Sequence, residues 1–123
     1  MVMAELRESD LKDLWLWLWR QRRRFRVTGD SMHPTLQAGD EVLVDLHAYQ
    51  KAAPQPDELI VLLDPRDQAQ KMVKRVQFVD ENGRFYVSGD NPAASSDSRT
   101  FGTISTDLIL GRVECYFGKR EES

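Results

Sequence analysis

The chain of 123 residues predicts a mainly β domain preceded by one helix. Three observations carry that reading. From Phe25 onward the apolar residues fall in short runs bounded by Gly, Pro, Asn and Asp, as strands and turns do. One of them, Leu59 to Leu63, is continuously apolar, as expected of a strand covered on both faces. Ahead of Phe25, Leu11, Leu14, Trp15 and Leu18 recur at helical spacing. No internal repeat or linker interrupts the rest, so residues 1–24 form an amphipathic Trp/Arg-rich segment and residues 25–123 one β domain.

Residues 1 to 8 carry no pattern, and Ser9 or Asp10 caps the predicted helix, which runs to about Arg22. Trp17 and Trp19 widen its apolar face, although alternating Leu and Trp from Leu14 to Trp19 also suits a strand. Arg20, Arg22, Arg23, Arg24 and Arg26 follow. Three roles are open to this segment. It packs on its own domain or a twin subunit; it lies on an anionic membrane surface, with Trp15, Trp17 and Trp19 down and the Arg20 to Arg26 cluster at the headgroups; or it docks a partner protein.

Strands are predicted over Phe25 to Thr28 and, after the Gly39-Asp40 turn, over Glu41 to Leu46. His47 to Asp57, with two prolines and three alanines, reads as an exposed loop. Leu59 to Leu63 is stopped by Asp64-Pro65. Gln70 to Val79 is the next strand, turned by Asp80-Glu81-Asn82-Gly83 into Arg84 to Ser88. Gly89 to Gly102 is a long polar loop, and Leu108 to Phe117 a last strand.

The totals exclude several function classes. Net charge is −3, which gives no electrostatic case for nucleic acid. Cys115 is alone, so there is no internal disulfide, and His33 and His47 lie too far apart in sequence to suggest a metal centre. The run from Leu14 to Trp19 is far below the roughly 18 apolar residues of a membrane span. The arginines follow it rather than precede it, unlike a cleavable signal segment. The expectation is a cytoplasmic protein, touching a membrane at most peripherally through the Trp/Arg segment.

The chemistry centres on Gly29-Asp30-Ser31-Met32-His33-Pro34-Thr35-Leu36. Gly29 frees the backbone for a tight turn, and Pro34 fixes its own φ and restricts His33. A serine so held presents its hydroxyl and its own N–H, which suits a nucleophile beside an oxyanion site; a plain loop with a capping serine is the other reading. His33 is too close in sequence to serve as the base, and His47 sits in the loop. Lysine is the alternative, since burial lowers an amine's pKa. Along the strand from Lys71 to Val79, Met72, Lys74, Val76 and Phe78 share one face, and Lys71 and Arg75 look outward. Lys74 therefore lies in an apolar row, as either a snorkelling surface residue or a desolvated base. In the polar loop, Asp97 and Arg99 are spaced to pair, and a nearby serine could orient the amine by hydrogen bonding.

Together these stretches resemble the type I signal peptidases, the Ser-Lys endopeptidases. Ser31-Met32-x-Pro34-Thr35-Leu36-x-x-Gly39-Asp40 matches the family's first box, preceded by Gly29-Asp30. Lys74-Arg75-Val76 matches the lysine box. Gly89-Asp90-Asn91, Ser95 to Arg99 and Phe101-Gly102 match the last. The resemblance implies a catalytic core of coiled antiparallel strands within residues 25–123. It implies Ser31 as nucleophile, Lys74 as general base and Ser95 as its orienting hydroxyl. Asp97, Arg99, Asp90 and Asn91 support the site, and Met32, His33 and Pro34 border the substrate cleft. Some members carry an oxyanion-hole serine where this chain has Gly29, so the hole rests on backbone N–H groups, chiefly that of Ser31. No metal or organic cofactor is implied.

The departures are equally specific: there is no transmembrane helix, no Pro-Gly-Asp after the lysine box, and no room for a large insert between Lys74 and Gly89. Short anchorless members resemble the maturation proteases of nickel-type superoxide dismutase, so the expected partner is a precursor protein, that dismutase precursor in particular. The alternatives are a general signal peptidase I-like enzyme at the membrane surface, a self-cleaving SOS-repressor-type Ser-Lys protease, and a non-catalytic membrane- or partner-binding module.

Overall fold

A computed structural model describes residues 22–50, 52–94 and 96–117. The predicted N-terminal helix up to residue 21, with its tryptophans, and Ser95 lie outside the described residues. Among the described residues six strands, β1 (Arg22–Arg26), β2 (Glu41–Asp45), β3 (Leu59–Asp64), β4 (Asp67–Val79), β5 (Phe85–Ser88) and β6 (Ile109–Phe117), form one sheet. Its order is β1-β2-β6-β3-β4-β5, and every pairing is antiparallel. A single-turn helix, α1 (Ser98–Phe101), and 3-10 turns at Pro92–Ala94 and Thr106–Leu108 connect β5 to β6.

The mainly β expectation holds, with shifted boundaries. β1 starts at Arg22, ahead of the predicted Phe25, because Arg22 to Arg24 pair in register with Asp45 to Leu43. Arg24 and Arg26 both bond the carboxylate of Glu41 on β2, so paired charge supports a strand that its composition does not suggest. The loop predicted from Gly89 to Gly102 contains α1, whose four residues are too few to leave a helical period in the sequence.

β3 explains the continuously apolar run. Ile60 and Leu62 pack into one cluster with Val76, Phe85, Val87 and Ile104, while Val61 packs into another with Val27, Met32, Leu36, Val42 and Val44. A strand feeding two clusters must be apolar on both sides. Beside it β6 carries Gly111, which pairs with Val61. A Cβ there would lie 2.4 Å from the carbonyl oxygen of Asp45 and 2.8 Å from Val44 Cγ1. Only glycine allows β6 to pass β2 so closely.

The face expected for Phe78 is corrected by the structure. The β4–β5 register shifts between Val76 and Phe78, a bulge that breaks strict alternation. Phe78 is therefore 49% exposed and stacks on Tyr86, ring centroids 4.8 Å apart. Arg75 is corrected too: it is half-buried, for a reason that belongs to the site.

Candidate active site

The segment between β1 and β2 holds Ser31. Val27 N–H donates to the Asp40 carbonyl at 2.7 Å and Gly39 N–H to the Val27 carbonyl at 2.9 Å, closing the loop at its base. Gly29 and Gly39 have φ of 74° and 92°, which glycine adopts at little cost. Met32 and Leu36 anchor the turn from beneath, 1% and 0% exposed. Asp40 is buried, and its carboxylate accepts from Gln37 N–H at 2.9 Å. Ser31 between them is half-buried rather than sunk.

The first part of the last box holds this turn from above. Asn91 N–H donates to the Ser31 carbonyl at 2.8 Å, and Asn91 Nδ2 to the Asp30 carbonyl at 3.0 Å. Asp90 accepts Thr35 Oγ1 at 2.6 Å. It also accepts Arg75 Nε at 2.9 Å and Nη2 at 2.8 Å, a two-pronged pair of the strong kind. Arg75 further donates Nη1 to the Asp57 carbonyl at 2.8 Å. The returning loop thus meets the outward face of β4 at Arg75, which is why Arg75 is half-buried. All three boxes meet at one carboxylate.

Lys74 pairs across the ladder with Ile60 and is 3% exposed. It lines a cleft of about 260 Å³ together with Ser31, Met32, Asp64, Lys71 and Ser96. Burial pushes the Lys74 amine below the ordinary lysine range; Asp97 and Asp64 pull it upward, and Arg66 and Arg99 push it down again. Asp97, 1% exposed, caps α1. It accepts Arg99 N–H at 3.0 Å, Arg99 Nε at 2.9 Å and Gly89 N–H at 3.3 Å. Burial pushes its carboxyl up, but those bonds outweigh the burial and hold it below the usual carboxylate range. Ser98 turns inward, its Oγ accepting Val87 N–H at 2.8 Å.

Ser31, Lys74 and Met32 thus share one cleft, Met32 as its floor. Gly29, His33 and Pro34 are exposed and are not among its lining residues. Asp90, Asn91, Asp97 and Arg99 are not among its lining residues. Ser96 and Asp64 line it without having been singled out in the sequence. Asp64 reads there only as a strand stop, although Asp64-Pro65-Arg66 repeats the spacing of Asp97-Ser98-Arg99.

Arg66 lowers the Asp64 carboxyl and Arg75 that of Asp90. Three carboxyls depressed on folding make the unfolded chain the better proton binder in acid. Their contribution is whole above the usual carboxylate value of about 4 and lost as pH falls through the depressed native values. Urea midpoints should hold level from neutral pH toward pH 5 and drop below it; a midpoint that rises on acidification contradicts these pairings.

The family profile described as "Signal peptidase, peptidase S26" matches residues 16–80 and 79–117. The chain belongs to that family. It is 28% identical over 109 residues to mitochondrial inner membrane protease subunit 2 of Danio rerio, covering 72% of this chain and 60% of that protein. It is 32% identical over 105 residues to subunit 1 of the mitochondrial inner membrane protease of Schizosaccharomyces pombe, covering 70% and 67%. The human subunit 1 is 27% identical over 105 residues, at 70% and 63%. The chain thus spans about three fifths to two thirds of the length of these relatives. Among the described residues no helix is long and apolar enough to cross a membrane.

Proposed function

We propose that the chain is a serine endopeptidase that removes an N-terminal extension from a precursor protein through Ser31 and Lys74. The carrying observation is that a half-buried serine in a built turn and a buried lysine of lowered proton affinity line one cleft. Neutral Lys74 takes the Ser31 proton as Oγ attacks the scissile carbonyl, and backbone N–H groups, chiefly that of Ser31, hold the oxyanion. Lys74 then gives the proton to the departing amine, leaving an acyl-serine. It next draws a proton from water, whose attack releases the carboxylate product and restores the hydroxyl. The substrate is an extended segment laid beside the serine turn.

The nickel superoxide dismutase precursor is the substrate we put forward. The short span between Lys74 and Gly89, with no inserted domain, supports it. The direct experiment incubates the purified chain with that precursor and sequences the new N-terminus. One defined cut that leaves the nickel-binding terminus free is expected. Cleavage of small-residue peptides with the precursor untouched removes this substrate and leaves the endopeptidase; no cleavage of either removes both.

The acid limb is a separate check. Lys74 must be neutral to act, so kcat/KM should rise with pH through its deprotonation. Because burial lowers that value, the rise should centre below the ordinary lysine value of about 10.4. A rise centred at or above that value contradicts a buried base.

A further inference from the structure

Two acid–arginine pairs act by their charge on the same amine. In one, Asp97 Oδ1 accepts Arg99 N–H at 3.0 Å and Arg99 Nε at 2.9 Å. In the other, Asp64 Oδ1 accepts Arg66 N–H at 2.9 Å and Arg66 Nε at 3.1 Å, and Oδ2 accepts Arg66 Nη2 at 3.0 Å. Both are Asp-x-Arg, both fold the arginine back onto its own acid, and both carboxylates are buried, at 1% and 8% exposure. They come from opposite parts of the chain, the α1 cap and the end of β3. The Arg66 guanidinium lies 5.4 Å from the centre of the Phe101 ring, on the same helix as Arg99, a cation–π contact.

We propose that Asp64, clamped by Arg66, is a second positioning residue for Lys74, acting from β3 as Asp97 acts from the last box. The inference rests on Lys74 being the base. Asp64 itself lines the cleft with Lys74, so it is placed to act on the amine through space. An ionised carboxylate near the amine favours its charged form, whereas a guanidinium disfavours it. With burial stripping water from the amine, the two pairs supply balanced opposite charges around it. The remaining charged groups lining the cleft are Arg26 and Lys71. Arg26 bonds Glu41 at 3.3 Å, and Lys71 is exposed.

The test follows the Cε resonance of Lys74 in ¹³C-lysine-labelled protein against pH, assigned by its absence in Lys74→Met. Asp64→Asn should move the Lys74 midpoint to lower pH, Arg66→Gln should move it to higher pH, and Asp64→Glu should restore the parent curve. The acid limb of peptide cleavage should move the same way in each variant. An unmoved midpoint in folded Asp64→Asn, or a displacement of the same sign in Asp64→Asn and Arg66→Gln, overturns the proposal. The resonance reads the amine whether or not the protein cleaves peptides. A shift without activity therefore condemns the endopeptidase reading alone, and activity without a shift condemns only the role of Asp64.

Discussion

Lys74→Met is expected to abolish cleavage while leaving the protein at least as stable as its parent. The position is 3% exposed, paired with Ile60 across the ladder and flanked on its own strand by Met72 and Val76. An ammonium there gives up hydration that its neighbours only partly replace. Methionine has similar length and flexibility and no charge to bury. Removing a general base costs about 100- to 10,000-fold in rate, whereas a strained or destabilised active-site group is commonly kept at a cost in stability that its removal relieves. Ser31→Ala should show the same loss of activity with an unchanged urea midpoint, since a half-buried hydroxyl contributes little packing. The pair of measurements is cleavage rate and urea midpoint on both variants. If folded Lys74→Met stays within tenfold of the parent rate, the assignment of the base is wrong.

Asp90→Ala should be the most damaging change outside the reacting groups. Asp90 accepts one bond from Thr35 and two from Arg75, so its loss releases the serine turn from the lysine strand and strands a half-buried guanidinium. About 2–3 kcal/mol of stability should go with it. Activity in the folded fraction should fall about 100-fold through displacement of the serine turn. Arg75→Ala should cost a similar amount, and the double variant much less than the sum, because both remove one shared contact. Additive losses would show that the two residues act separately.

The sequence made the candidate site legible because each box is contiguous: Ser31 within its glycine-bounded turn, Lys74 within an apolar row, Asp97 two places before Arg99. Leu59 to Leu63 was readable as a strand because coverage on both faces leaves an unbroken apolar run. What was not legible depends on partners distant in the chain. Alternation sends Arg75 outward, yet Asp90 returns over that face after the β4–β5 hairpin. Phe78 fits the row of Lys74 until the bulge after Val76 turns it out. β1 hides its start because its strand residues are arginines, held by register with β2 and by Glu41 rather than by an apolar face. Asp64 carried a signal in the repeated Asp-x-Arg spacing, but spacing alone does not reveal that Asp64 and Lys74 line one cleft.

Gly111 bears on how mutational surveys of this protein are interpreted. A methyl group there collides with the Asp45 carbonyl, so an alanine scan scored by product formation alone would place position 111 beside 31 and 74 as essential. Its defect would be architectural, a crossing of two strands forced apart, and it should appear as reduced soluble yield and early melting. Pairing each activity score with a melting curve separates the two kinds of loss.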